Sequence, residues 1–125
     1  MVYLYIAIGG GIGALLRHLA SRFINSAVNV EFSSGVLFVN CVGALLIGFL
    51  ANAFDAFALN VKWRMFLITG FLGGYTTFST YSLETVQYFL DGRVKHAIAN
   101  ILLNNVLCMF LALSGIWLSK AIFTR

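Results

Sequence analysis

Apolar positions run almost unbroken along this chain, and the charges that interrupt them fall in a few places. They are Arg17 and Arg22, Glu31, Asp55, Lys62 and Arg64, Glu84, Asp91, Arg93 and Lys95, then Lys120 and Arg125. Between them lie uncharged windows at 1–16, 32–54, 65–83 and 96–119. A helix crossing ~30 Å of hydrocarbon needs ~20 mostly apolar residues. The windows therefore predict four transmembrane helices, roughly 2–25, 33–54, 64–90 and 95–121, in one domain covering 1–125. The first takes in Arg17 to be long enough, and the third runs past Glu84. The predicted class is an all-α integral membrane protein.

Composition closes off the soluble alternative. Of 125 residues, 61% are hydrophobic and 10% charged, and the mean hydropathy is +0.94. A soluble bundle of this length needs far more charge to keep its surface wet. The N-terminus lacks the basic segment and small-residue cleavage site of a signal peptide. The net charge of +4 is spread over loops rather than clustered, which argues against nucleic acid as a partner. Cys41 and Cys108 fall one each in two predicted spans and read as separate packing residues rather than a disulfide or metal pair.

Charge also bears on orientation, which follows the side richer in Lys and Arg. Four crossings put Lys62, Arg64, Lys120 and Arg125 on one side and Arg17, Arg22, Arg93 and Lys95 on the other, a tie of four against four. Either some other feature orients the chain, or copies insert both ways and pair as antiparallel homodimers. Dual topology is the favoured reading, because a lone four-helix unit would turn polar groups toward lipid.

Small residues four apart let membrane helices approach closely. Gly9 and Gly13, Gly10 and Ala14, Ala44 and Gly48, and Gly70 and Gly74 offer such pairs. The third span is different. "GFLGGYTTFSTYSLE", residues 70–84, crowds Thr76, Thr77, Ser79, Thr80 and Ser82 directly after Gly73 and Gly74. Glycine weakens a helix and hydroxyls compete for its carbonyls, so a break is expected here. Irregular backbone at this depth is tolerated where protein or a water-filled cavity satisfies it, and such breaks build ion sites. Phe78 and Tyr81, three apart, share a helix face; on spacing alone such a pair is packing. Asn40 lies deep in the second span, and Asn104, with Asn100 a turn earlier and Asn105 beside it, in the fourth. A buried amide is helix glue or an ion donor, and spacing does not choose between them. Arg17 and Glu84 are ionisable groups within spans, candidates for function by their cost, although Arg17 also has the length to snorkel.

The run "GGYTTFSTYSLE" closely resembles the signature of the small bacterial fluoride channels, the Fluc or CrcB family. The glycine-rich first span ending in "GALLRH", the "GVLFVNCVGALLIGFL" of the second, the chain length and the balanced loop charge fit the same family. The resemblance implies a passive, fluoride-selective channel of the bacterial inner membrane that lets cytoplasmic fluoride leak out and so confers fluoride resistance. It implies an antiparallel dimer with two pores, each lined by both copies. Phe78 and Tyr81 would line the path with ring edges, Asn40 would hydrogen-bond the ion, and Ser79 and Thr80 would extend a polar track. A structural sodium ion would be held at the dimer axis by the backbone carbonyls of Gly73 and Thr76, with Arg17 and Glu84 near pore vestibules. Two positions depart from the pattern. Tyr81 stands where a Phe is usual and adds a hydroxyl, and Asn104 stands in the neighbourhood where the family supplies serines.

Other classes are weaker. A small dual-topology, proton-coupled exporter of toxic cations shares the size and charge tie, but it needs an intramembrane carboxylate, and Glu84 is the only one within a span. A non-transporting assembly subunit leaves the hydroxyl cluster unexplained. An enzyme is not expected: "GGGIG" in the first span lacks the preceding strand of a dinucleotide fingerprint.

Overall fold

The computed structural model of the chain describes residues 1–28, 32 and 34–123, and within these every regular element is helical. We number them α1 (Val2–Ala27), α2 (Ser34–Phe57), α3 (61–75), α4 (Ser79–Leu90) and α5 (Val94–Phe123). Glu31 and Arg125, both counted in the charge pattern, lie outside the described residues, as does the expected first residue of the second span.

Helices α1, α2 and α5 are each long and apolar enough to cross a membrane. The expected third span is two helices. At ~1.5 Å per residue α3 reaches roughly 22 Å and α4 roughly 18 Å, so only together do they match a bilayer core. The start of α3 precedes the expected residue 64 because Asn60 caps it, its Oδ1 accepting from the Lys62 N–H at 2.9 Å. Gly92, at φ +78°, ends α4, and the Arg93 N–H closes the turn on the Tyr88 carbonyl at 2.7 Å. That hairpin folds α5 back along α4.

The packing follows the small residues, with one reassignment. α1 lies along α3, where the Gly9 and Gly13 backbones run against the carbonyls of Phe66 and Phe71. A Cβ on Gly74 would stand 2.5 Å from the Gly10 carbonyl oxygen. Gly73 and Gly74 are therefore helical, and the backbone does not break at them as expected. Gly74 serves the contact with α1, and the break comes just after, at 76–78. The second interface is α2 against the later part of α5, where Gly48 meets the Ala112 carbonyl and Gly115 meets that of Leu45.

Two stretches, Met65–Leu72 in α3 and Leu103–Leu107 in α5, are wound to the wider i→i+5 pattern. Such widening brings consecutive side chains closer to one face. In α5 those neighbours are Asn104 and Asn105. Tyr75, just before the break, is buried and stacks on Phe71 at 6.0 Å.

Candidate functional site: a helix break clamped by an asparagine ladder

The break begins where Thr76 turns extended, at φ −82° and ψ 159°. An unbroken helix would send the Thr77 N–H to the Gly73 carbonyl. Instead it donates to Asn40 Oδ1 at 2.9 Å, and Asn40 Nδ2 donates back to the Thr77 carbonyl at 3.0 Å. One side chain on α2 thus satisfies both polar groups of a single freed peptide residue. This pairing also fixes which way the amide faces, since the reversed group would set donor against donor. Downstream, Thr77 Oγ1 accepts from the Thr80 N–H at 3.2 Å and covers the start of α4.

From Asn40 a ladder of amides runs into α5. The second hydrogen of Asn40 Nδ2 goes to Asn104 Oδ1 at 2.9 Å. Asn104 Nδ2 donates to the Asn100 carbonyl and to Asn100 Oδ1, at 3.0 and 2.9 Å. Asn100 Nδ2 donates to Thr85 Oγ1 at 2.9 Å, which bonds back to the Tyr81 carbonyl at 2.8 Å. Asn100 is fully buried at 0% exposure, and Asn104 and Thr85 are buried too. In a low-dielectric interior each of these groups would be costly alone. Joined, they tie α2, the break, α4 and α5 into one unit. Asn105 forms a side branch, donating to the Tyr81 hydroxyl at 2.9 Å and to the Ile101 carbonyl at 2.8 Å.

Beside the ladder opens a cavity of about 310 Å³. Its wall includes Asn40, Gly73, Thr76, Thr77, Phe78, Tyr81, Asn104 and Asn105, with Gly43, Ala44, Ile47, Leu72 and Cys108 completing it. Every one of these side chains is uncharged. The rings of Phe78 and Tyr81 meet at 5.4 Å, tilted by 58°. Tyr81 is buried while Phe78 is 75% exposed. The Tyr81 oxygen accepts from Asn105, so its own proton is left to donate. The first turn of α4, with the positive end of its dipole, starts beside Phe78.

Set against the sequence expectations, the structure brings Asn40, Phe78, Tyr81, Asn104, Gly73 and Thr76 to one cavity. Ser79 and Thr80 stand outside its wall; both are exposed, and both pair with Thr77 Oγ1, at 3.3 and 3.2 Å. Of the five clustered hydroxyls, Thr76 and Ser82 bond back to their own helix, to the carbonyls of Leu72 and Phe78. Arg17 reaches the break itself, Nη1 lying 3.4 Å from the Thr76 carbonyl. Glu84 is half-buried on α4, away from the cavity wall. Thr77, Thr85 and Asn100 carry more of the network than the expectations assigned them. Thr77 and Asn100 were visible as part of the hydroxyl cluster and of the asparagine face. Thr85 had no signal: it is a single hydroxyl in a regular helical run.

The two cysteines are not separate. Cys41 Sγ on α2 lies 3.9 Å from Cys108 Sγ on α5, and both are free thiols. Their contact depends on the α2–α5 interface, which no local pattern reveals.

The carbonyls of the break suit a hard cation by donor type. Gly73 has lost the Thr77 N–H to Asn40, and neutral carbonyl oxygens are ligands that alkali and alkaline-earth ions accept. Thr76 offers its second lone pair, the first being turned to Arg17. One chain supplies two such oxygens, fewer than a full coordination shell.

Comparison with known proteins finds relatives over most of the chain. The family described as CrcB-like protein, Camphor Resistance (CrcB), matches residues 4–116. A protein of Aquifex aeolicus named fluoride-specific ion channel FluC is 42% identical over 118 residues, 94% of this chain and 95% of the relative. One of the same name from Campylobacter fetus is 37% identical over 120 residues, 95% of this chain and 94% of the relative. Another, from Methylococcus capsulatus, is 40% identical over 121 residues. That match covers 96% of this chain but 51% of the relative, so the chain spans about half the length of that protein. With the family pattern covering most of its length, this chain belongs to the CrcB family.

Proposed function

We propose that this chain is a fluoride-selective ion channel, a multi-pass membrane protein through which fluoride leaves the cytoplasm passively. The observation that carries the reading is the uncharged cavity at the helix break, whose lining includes Phe78, Tyr81 with its hydroxyl, and the amide of Asn40. Fluoride is small and strongly hydrated, so a pore must replace its water donor by donor and still release it. Neutral donors meet both demands. Aromatic edges are weakly positive, and the N-terminal turn of α4 adds a favourable field.

Asn40 has a double role in this scheme. One of its hydrogens holds the Thr77 carbonyl and keeps the break formed; the other, now on Asn104 Oδ1, is the one an arriving anion exchanges for. Ser79 and Thr80, exposed on one chain, extend the polar track where a second copy covers them. Polar groups facing hydrocarbon are costly, which together with the even loop charge supports antiparallel pairing of two copies and four crossings per chain, α3 and α4 making one. Gly73 and Thr76 would hold a structural sodium ion between the copies. When bound, that ion supplies fixed positive charge at the axis. Arg17 and Glu84 stand at the approaches to the path, and the inner membrane of a bacterial cell is the expected location.

The test is fluoride efflux from liposomes holding the purified protein, against chloride efflux, with Phe78→Ile beside the wild type. Fluoride efflux without chloride efflux, lost in the variant, is the expected result. A Glu84→Gln variant separates the exporter reading: a proton-coupled exporter stops, whereas the channel keeps its flux. Folded wild-type protein that passes no fluoride would refute the proposal.

A further inference from the structure

We propose that Cys41 and Cys108 form a two-coordinate site for a soft, singly charged d10 cation, of the class of Cu(I) and Ag(I), in the wall of the cavity. The sulfurs lie 3.9 Å apart, both as free thiols, on helices held together by the ladder and by the Gly48 and Gly115 contacts. Cys108 lines the cavity, and the Cys41 sulfur lies 3.9 Å from the Cys108 sulfur without itself lining it. A cation reaching the cavity therefore meets one sulfur with the second already in place.

The spacing suits a bridging atom better than a bond. Two metal–thiolate bonds of about 2.3 Å laid end to end set the sulfurs about 4.6 Å apart. A widening of roughly 0.7 Å is within reach of small side-chain rotations. A disulfide needs about 2.05 Å between sulfurs, a closure of roughly 1.9 Å from the 3.9 Å observed, against a widening of roughly 0.7 Å for the bridging ion. Thiolates select soft cations. Among the described residues no group of three or more His, Cys, Asp or Glu gathers, so the pair fits linear coordination rather than a tetrahedral zinc site.

On binding, each thiol releases its proton to water as its S–H bond gives way to a metal–sulfur bond, and no electron is transferred. One positive charge against two thiolates leaves a net negative wall. The consequence for transport rests on the fluoride-channel reading: an occupied, negatively charged wall opposes an anion by bulk and by charge.

The test begins with silver nitrate titrated into the purified full-length protein in chloride-free buffer, with intact-mass measurement and maleimide counting of free thiols. One silver per chain with both thiols protected is expected. Cys41→Ala or Cys108→Ala should each bind silver about a hundredfold more weakly, as loss of one of two linked ligands implies. Two silvers per wild-type chain, single variants binding as tightly as wild type, or a disulfide mass in place of a metal adduct would overturn the site. In proteoliposomes, stoichiometric silver should stop fluoride efflux by the wild type and spare Cys41→Ala, whose side chain is outside the cavity wall. Silver bound with efflux unchanged would overturn the inhibition. If untreated protein passes no fluoride, the channel reading fails, while the titration still decides the site.

Discussion

Replacing Asn40 by Ala removes the clamp on the break and leaves three polar groups without partners: the Thr77 N–H, the Thr77 carbonyl and Asn104 Oδ1. Side-chain hydrogen bonds inside membrane proteins are worth about 0.6 kcal/mol on average and up to about 1.7. Three lost together amount to roughly 2–5 kcal/mol, the upper end applying because two of them fall on one backbone residue that has no other way to pair. Asn52→Ala is the matched control. It removes a single amide bond in the same two helices, from Asn52 Nδ2 to Ser119 Oγ at 3.0 Å, and should cost about 1 kcal/mol. Unfolding each variant in mixed micelles by denaturing-detergent titration, followed by circular dichroism, gives the two values side by side. Asn40→Ala should also lose fluoride efflux at temperatures where it remains folded. If it is no less stable than Asn52→Ala, the break is held by its own local sequence and the clamp argument is wrong.

Two further substitutions probe other parts of the structure. Gly48→Ala places a methyl group on the Ala112 carbonyl and should destabilise by about 1–3 kcal/mol, whereas Gly11→Ala meets nothing within 4 Å and should be neutral or stabilising; equal melting temperatures for the two would refute the contact. Tyr81→Phe keeps the ring and removes the hydroxyl, and Asn105 retains its bond to the Ile101 carbonyl; fluoride efflux should persist within about tenfold of wild type, the worth of one neutral hydrogen bond, and a complete loss would mean that the hydroxyl and not the ring carries the ion.

The main outline of this fold was legible because membrane helices declare themselves by length and apolarity, properties of contiguous residues. The break was legible for the same reason, since its hydroxyls stand together. Its mechanism was not. Gly73 and Gly74 looked like the weak point because glycine is intrinsically a poor helix former, but Gly74 faces Gly10, 64 positions away, and it is the nearness of that backbone that requires it. Asn40 and Asn104 were each recognisable as amides that had to find partners, and either structural glue or ion contact remained open. The structure shows that both Nδ2 hydrogens of each are committed to protein. The Cys41–Cys108 contact was invisible on the same grounds as the glycine contact, being a product of which helices become neighbours.

That the break is clamped from a distance bears on how the chain is made. Asn40 precedes Thr77 by 37 positions, so α2 is synthesised, and reaches the membrane, ahead of the residues that will depart from helical form. The peptide at 76–78 emerges toward a partner that already exists. Asn104 follows later, and only then is the second hydrogen of Asn40 engaged and the ladder to Thr85 completed. The segment that would be hardest to leave uncompanioned in a lipid phase is thus met from the upstream side first and sealed from the downstream side last.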